Sequence, residues 1–422
     1  MTMTRRGALI GAGALAGTLG LGPTAQAQPG RVRTGLELLV QDRFRDLRGQ
    51  RVGVITNPTG VLPDLRHGVD VMAESDDVEL VAVFGPEHGF RGTAQANDSE
   101  DFFTDPRTGL PVYDTFETSG QDLADLFTAA EVDTVLFDVQ DVGARFYTYI
   151  WTMFDSMEAA ALAGKRFVVL DRPNPITGRR ATGPVLQPEY ATFIGRAPIA
   201  QQHGMTVGEL AELFNAEFLP GRPSGPADLS VRRMQGWRRE LSYDRTGLPW
   251  VLPSPNLPSL ETAYVYPGSC LFSGTNLSQG RGTTRPFQLV GAPFIDHRWA
   301  AELAARRLPG LAFREAYFTP TFSTYQGKNC GGVDLNVTDP AQVDAVALGI
   351  ALLVTLKSLY PKDFAWLNSG TEAKPQWWID HLTGSDRVRL AVDAGDDVAA
   401  IVAGWQDDLA EFRRVRRAYL RY

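Results

Sequence analysis

The chain has 422 residues, 44% of them hydrophobic and 21% charged, with a formal net charge of −8. That length exceeds what one hydrophobic core usually supports, so two domains are expected, and the composition is that of a globular protein. Its acidic balance gives no electrostatic reason to bind nucleic acid or anionic lipid, which points to a small molecule or a polymer end as the partner.

The first residues combine Arg5-Arg6, a mildly apolar stretch rich in Ala, Gly and Leu, and Ala25-Gln26-Ala27. Twin arginines, a weak apolar region and an A-x-A site are the parts of a twin-arginine export leader, expected over residues 1–27. The apolar run is Gly-rich and short against the roughly 20 residues of a membrane span, so no span is expected after the leader is removed. Removal takes the net charge from −8 to −10 and places the mature protein outside the cell or at its envelope.

After the leader, Leu36, Leu39, Phe44 and Leu47 have helical spacing, and Arg51 to Ile55 begins the first strand. Three further apolar, β-branched runs follow: Glu79 to Phe84, Thr134 to Asp138 and Arg166 to Leu170. Runs of this kind, separated by helix-length segments, read as buried parallel strands of a three-layer α/β domain, Rossmann-like in outline. Each run ends in a polar turn: Thr56 to Gly60, Gly85 to Gly89, Val139 to Arg145, and Asp171 to Pro175. Ligands of open parallel sheets sit beyond the carboxyl ends of the strands, so all four turns are expected to face one cleft.

Thr206-Val-Gly-Glu209 has the spacing of a capping box and predicts a helix start at Thr206. The Pro-rich passage Trp250 to Pro258 marks the domain change, giving 31–255 as the Rossmann-like domain and 256–422 as a smaller α/β domain over its mouth. In the latter, Val343 to Leu359 reads as a helix and Gly332 to Val337 as a strand.

Several chemistries lack their signatures. No GxGxxG follows the first strand, no GxSxG elbow is present, and the five histidines show no HExxH spacing. Cys270 and Cys330, the only cysteines, are as readily a disulfide as two buried thiols.

Taken together, Gly85 to Gly89, Gln140 to Tyr149, Leu170 to Pro175, His203 to Glu209, Pro253 to Asn256 and Gly274 to Phe287 resemble, in order, the NamZ-type exo-β-N-acetylmuramidases of glycoside hydrolase family 171. The resemblance implies a Rossmann-like domain, a smaller C-terminal α/β domain, and a cleft between them. It also implies cleavage of N-acetylmuramic acid from the non-reducing end of peptidoglycan fragments or muropeptides, without cofactor or metal. The sequence departs from the implied pattern at Ser273, Gln279 and Gln288, where acidic residues are expected. A non-catalytic or altered-specificity muropeptide-binding protein is therefore the alternative reading.

Glycoside cleavage needs a carboxylic acid to protonate the leaving oxygen, and Glu87, between Gly85 and Gly89, is the candidate; its bland reading is a helix cap. Asp138 and Asp141 are candidates for the second group, with Asp171 next, although strand-end Asp residues often only shape turns. The lactyl carboxylate of muramic acid suits guanidinium groups, for which Arg145, Arg281 and Arg285 stand against the simpler reading of ion pairing. Tyr147 and Tyr149 offer stacking faces or hydroxyls, and Phe146 and Trp151 read as core. His88, His203, Asn174, Asn256 and Asn276 complete the set as candidate sugar contacts, each Asn being equally a turn former.

Overall fold

The computed structural model describes residues 31–371 and 374–422; the expected leader over 1–27 lies outside them. The strands in chain order are β1 (Arg51–Thr56), β2 (Glu79–Gly85), β3 (Phe103–Thr104), β4 (Pro111–Asp114), β5 (Thr134–Asp138), β6 (Arg166–Leu170), β7 (Thr182–Val185), β8 (Ala200–Gln202), β9 (Asp228–Arg232), β10 (Leu289–Ala292), β11 (Leu311–Phe318) and β12 (Cys330–Val337). The main sheet has seven strands in the order β3-β4-β2-β1-β5-β6-β9, parallel except for the β3–β4 edge pair. Its six parallel strands follow the Rossmann order, and the strand order reverses between β1 and β5.

Alternation along these strands makes the two faces of the sheet. Val52, Val54, Val83, Leu136, Val168 and Leu170 point to one face, where they pack with Leu36 and Leu39 of helix α1 (Gly35–Gln41) and with Val69 and Met72 of α2 (Gly68–Ala73). Ile55, Ala82, Phe84, Val135, Phe137, Phe167 and Val169 point to the other, against α3 (Gly120–Ala129), α4 (Tyr149–Leu162) and α5 (Val207–Leu213). Each fully buried side chain of this kind contributes about 1.5–3 kcal/mol. Helix α5 starts as its sequence requires: Thr206 accepts from the Glu209 amide, and the Glu209 carboxylate accepts from the Thr206 amide.

The second α/β part carries the antiparallel sheet β10-β12-β11 and the helices α6 (Leu260–Ser269), α7 (His297–Ala305) and α8 (Ala345–Leu359). Its core is continuous with that of the α3–α5 face, so the two parts share one apolar interior. Helices α6 and α8 cross closely at Gly268 and Gly349, where a Cβ on Gly349 would lie 2.8 Å from the Gly268 backbone. Cys270 and Cys330 are both free and buried, which settles the two sequence alternatives against the disulfide. No helix among the described residues is long and apolar enough to cross a membrane.

The four strand-end turns do not share one cleft, and the reason is the Pro-rich passage after Trp250. Its Pro253 carbonyl accepts from Asn57 Nδ2 at 3.3 Å and from the Tyr149 hydroxyl at 2.5 Å, which ties the segment to the β1 turn and the start of α4. Only a cavity of about 10 Å³ remains between Thr59, Gln140, Arg172, Pro249 and Val251. The crevice at the strand-order reversal is thereby filled by the chain itself.

Candidate active site

The open space lies beyond β2 instead. A cavity of about 460 Å³ is lined from the Rossmann-like side by Glu87, His88, Gln95 to Asn97, Phe146 to Tyr149, Phe193, Ile194, Ser254 and Asn256. From the other side come Tyr266, Cys270, Ser273, Gln279, Arg281, Phe287, Phe322 to Thr324, Leu367, Trp378 and Leu382. It is therefore a cleft between the two parts, as the sequence reading requires.

Glu87 is the only carboxylate among these lining residues. Its Oε1 accepts from the Asn97 amide at 2.9 Å, and its Oε2 accepts from the Thr148 hydroxyl at 2.6 Å. Neighbouring His88 has φ of +73°, an unusual conformation for a residue with a side chain, and its Nδ1 lies 3.0 Å from the Gln95 carbonyl. A carbonyl only accepts, so Nδ1 carries the proton and leaves Nε2 as an acceptor in the neutral ring.

Aromatic rings form the cavity wall in an edge-to-face series. Tyr149 meets Tyr147 at 5.1 Å between centroids, Tyr147 meets Tyr266 at 5.6 Å, and Tyr266 meets Phe287 at 4.8 Å. Burial holds the pKa of the Tyr147 hydroxyl well above the ordinary value, so it keeps its proton. Phe146, expected in the core, also lines the cavity, whereas Trp151 is in the core and donates to the Arg145 carbonyl at 2.7 Å.

The other residues singled out from sequence lie elsewhere and are held within the chain, although Asp141 Oδ1 and Arg145 Nε are buried without a hydrogen bond. Asp138 forms a buried two-pronged pair with Arg172, at 2.6 Å to Nε and 2.8 Å to the second amino group. Asp141 Oδ2 accepts from the Gly143 amide at 2.6 Å and from His203 Nε2 at 3.1 Å, while His203 Nδ1 accepts from the Met205 amide. That pair joins the turn after β5 to the loop before α5. Asp171 holds the start of α5, accepting from the Gly208 amide at 2.8 Å, the Thr206 hydroxyl at 2.9 Å and the Tyr422 hydroxyl at 2.5 Å. Burial pushes its pKa up to about 7.

The arginines divide likewise. Arg145 is fully buried and donates only to the carbonyls of Pro184, Ile199 and Leu382; burial lowers its pKa to about 9. Arg285 is paired with Asp334 at 3.2 Å, so of the three candidate clamps only Arg281 reaches the cavity. Asn174 caps its own turn through the amides of Ile176 and Thr177, and Asn276 bridges to Asp363 and Ala365. Of the three departures from the implied pattern, Ser273 and Gln279 line the cavity, while Gln288 is buried against Thr262. Among the described residues, no three His, Cys, Asp or Glu side chains gather as metal ligands.

Asn97, Thr148, Ser254, Tyr266 and Phe287 are cavity residues that sequence reasoning did not single out. Thr148, Ser254 and Phe287 fall inside the motif strings, which were the available signal. Tyr266 and Asn97 carried none.

A Rossmann-like sheet whose usual crevice is filled, beside a cleft presenting one carboxylate against aromatic and amide walls, belongs to a carbohydrate-cleaving enzyme, a glycoside hydrolase. The chain is a member of the NamZ family of exo-β-N-acetylmuramidases: the family's N-terminal part matches residues 52–261 and its C-terminal part residues 264–422. It is 46% identical over 397 residues to the peptidoglycan β-N-acetylmuramidase NamZ of Bacillus subtilis (strain 168), covering 94% of this chain and 92% of that one. Two crystal structures of DUF1343 family proteins from Bacteroides fragilis NCTC 9343 are similar. BF0371 has a TM-score of 0.81 at 34% identity, and BF0379 has 0.71 at 32%; each comparison covers 93% of this chain and 99% of the other.

Proposed function

We propose that the protein removes N-acetylmuramic acid from the non-reducing end of peptidoglycan fragments, with Glu87 as the general acid. The observation that carries this reading is that Glu87 is the sole carboxylate lining the cavity among the described residues. In the proposed step, protonated Glu87 gives its proton to the glycosidic oxygen as the bond from C1 to that oxygen breaks. Asp138 and Asp141 do not line the cavity, so the substrate's own 2-acetamido oxygen bonds to C1 as the leaving oxygen departs, and water then replaces it at C1, giving a proton back to the Glu87 carboxylate.

The reading is tested by release of 4-nitrophenol from 4-nitrophenyl β-N-acetylmuramide beside the matching glucosaminide. Muramide-selective turnover supports it; tight muropeptide binding without turnover moves the protein to the binding class. Export by the twin-arginine route is proposed from Arg5-Arg6 and Ala25-Gln26-Ala27 alone, and a lysine pair in place of Arg5-Arg6 is expected to retain the protein in the cytoplasm.

A further inference from the structure

Arg281 is the only Lys or Arg lining the cavity among the described residues, and it has no carboxylate partner there. This sets it apart from Arg172, paired with Asp138, and Arg285, paired with Asp334 and Glu261. One of its terminal nitrogens donates to Gln279 Oε1 at 2.9 Å, its guanidinium lies 4.8 Å over the Phe287 ring, and its Nε is buried without a hydrogen bond. A half-buried guanidinium whose charge no carboxylate matches is incomplete as a structural element, because an unmatched charge costs free energy.

The turn that presents it is specifically shaped. Gly280 and Gly282 flank Arg281 with φ of +76° and +80°, and a Cβ on Gly282 would fall 2.6 Å from the Phe322 amide nitrogen. The Phe287 amide donates to the Gln279 carbonyl at 2.6 Å, closing the loop over the ring that supports the guanidinium. Gln279 matters here as an amide. It orients Arg281 through a neutral oxygen that adds no charge of its own.

We propose that Arg281 grips the carboxylate of the substrate's 3-O-lactyl group and is the residue that separates N-acetylmuramic acid from N-acetylglucosamine in this cavity. The inference rests on the muramidase reading given above. It adds a specific division of labour: Glu87 acts on the glycosidic oxygen, and Arg281 selects the sugar.

The test is the dissociation constant of free N-acetylmuramic acid, its methyl ester and N-acetylglucosamine for the wild-type protein, Arg281→Gln and Arg281→Lys. The wild type is expected to prefer the acid over both neutral sugars by on the order of 10- to 100-fold, as a charge-assisted fork implies. Arg281→Gln should erase that preference, costing the acid far more than N-acetylglucosamine, and Arg281→Lys should keep part of it. An Arg281→Gln protein that retains the preference, or that loses all three ligands equally, overturns the assignment. Should that variant not fold, wild-type binding of the methyl ester as tightly as the acid overturns it as well. A wild type that hydrolyses muramides but does not distinguish the acid from its ester sinks Arg281 alone; one that hydrolyses no muramide sinks the underlying reading.

Discussion

The Thr148 hydroxyl meets Glu87 Oε2 at 2.6 Å, joining the start of α4 to the turn after β2. The two oxygens of Glu87 are consequently unlike. Oε1 faces the Asn97 N–H, which only donates, whereas Oε2 faces a hydroxyl that donates to a carboxylate and accepts from a carboxylic acid. With Glu87 as the proposed acid, Oε2 is the oxygen suited to hold the proton before transfer. Thr148→Val removes the hydroxyl at nearly constant shape and is expected to lower kcat about tenfold, with KM little changed. Thr148→Ser should restore most of the loss, and steady-state kinetics of the two variants decide the matter.

Asp138 is expected to act on stability. Its pair with Arg172 is almost fully buried, with side-chain exposures of 3% and 6%. Asp138→Asn leaves the guanidinium charge unpaired and is expected to cost about 3–5 kcal/mol in denaturant unfolding. Whatever fraction remains folded should hydrolyse substrate at close to the normal rate. A fully stable but inactive variant would instead give Asp138 a part in the chemistry.

Asp171 sets a pH dependence. Its folded pKa, raised by burial to about 7, lies above the unfolded carboxyl value of roughly 3.9. The folded state thus binds more protons between these values, and stability falls as pH rises from about 4 to about 7. Asp155, raised by burial to about 6 and opposed by Arg196, acts in the same direction. Asp171→Asn should flatten this part of the unfolding curve, measured by Tm against pH.

The thiols make no covalent brace. Cys270 lies at the cavity and Cys330 at the start of β12, both reduced. Reductant is expected to leave Tm unchanged, and two thiols should titrate after unfolding in denaturant without it.

The parallel strands were legible because buried strands are continuous apolar runs: β5 and β6 occur where Thr134–Asp138 and Arg166–Leu170 predict them. The edge strand β9 was not, since Asp228–Arg232 is half-exposed and reads as polar chain. At the site, Glu87 and Arg281 were visible as unusual residues in Gly-rich turns. What sequence cannot show is which charges already have partners. Asp138 and Arg172 stand 34 positions apart, and Arg145 donates to the carbonyl of Leu382, 237 positions away. Nor does sequence show that the passage around Pro253 crosses the strand ends and diverts the cleft toward Glu87.

The most direct measurement compares wild-type and Glu87→Gln protein on a muramic-acid-ended oligosaccharide, with products identified by mass spectrometry and binding of the intact oligosaccharide measured alongside. The account predicts free N-acetylmuramic acid from the wild type, and a variant that binds the oligosaccharide but releases the sugar at least about 100-fold more slowly. Release by Glu87→Gln at the wild-type rate would contradict it.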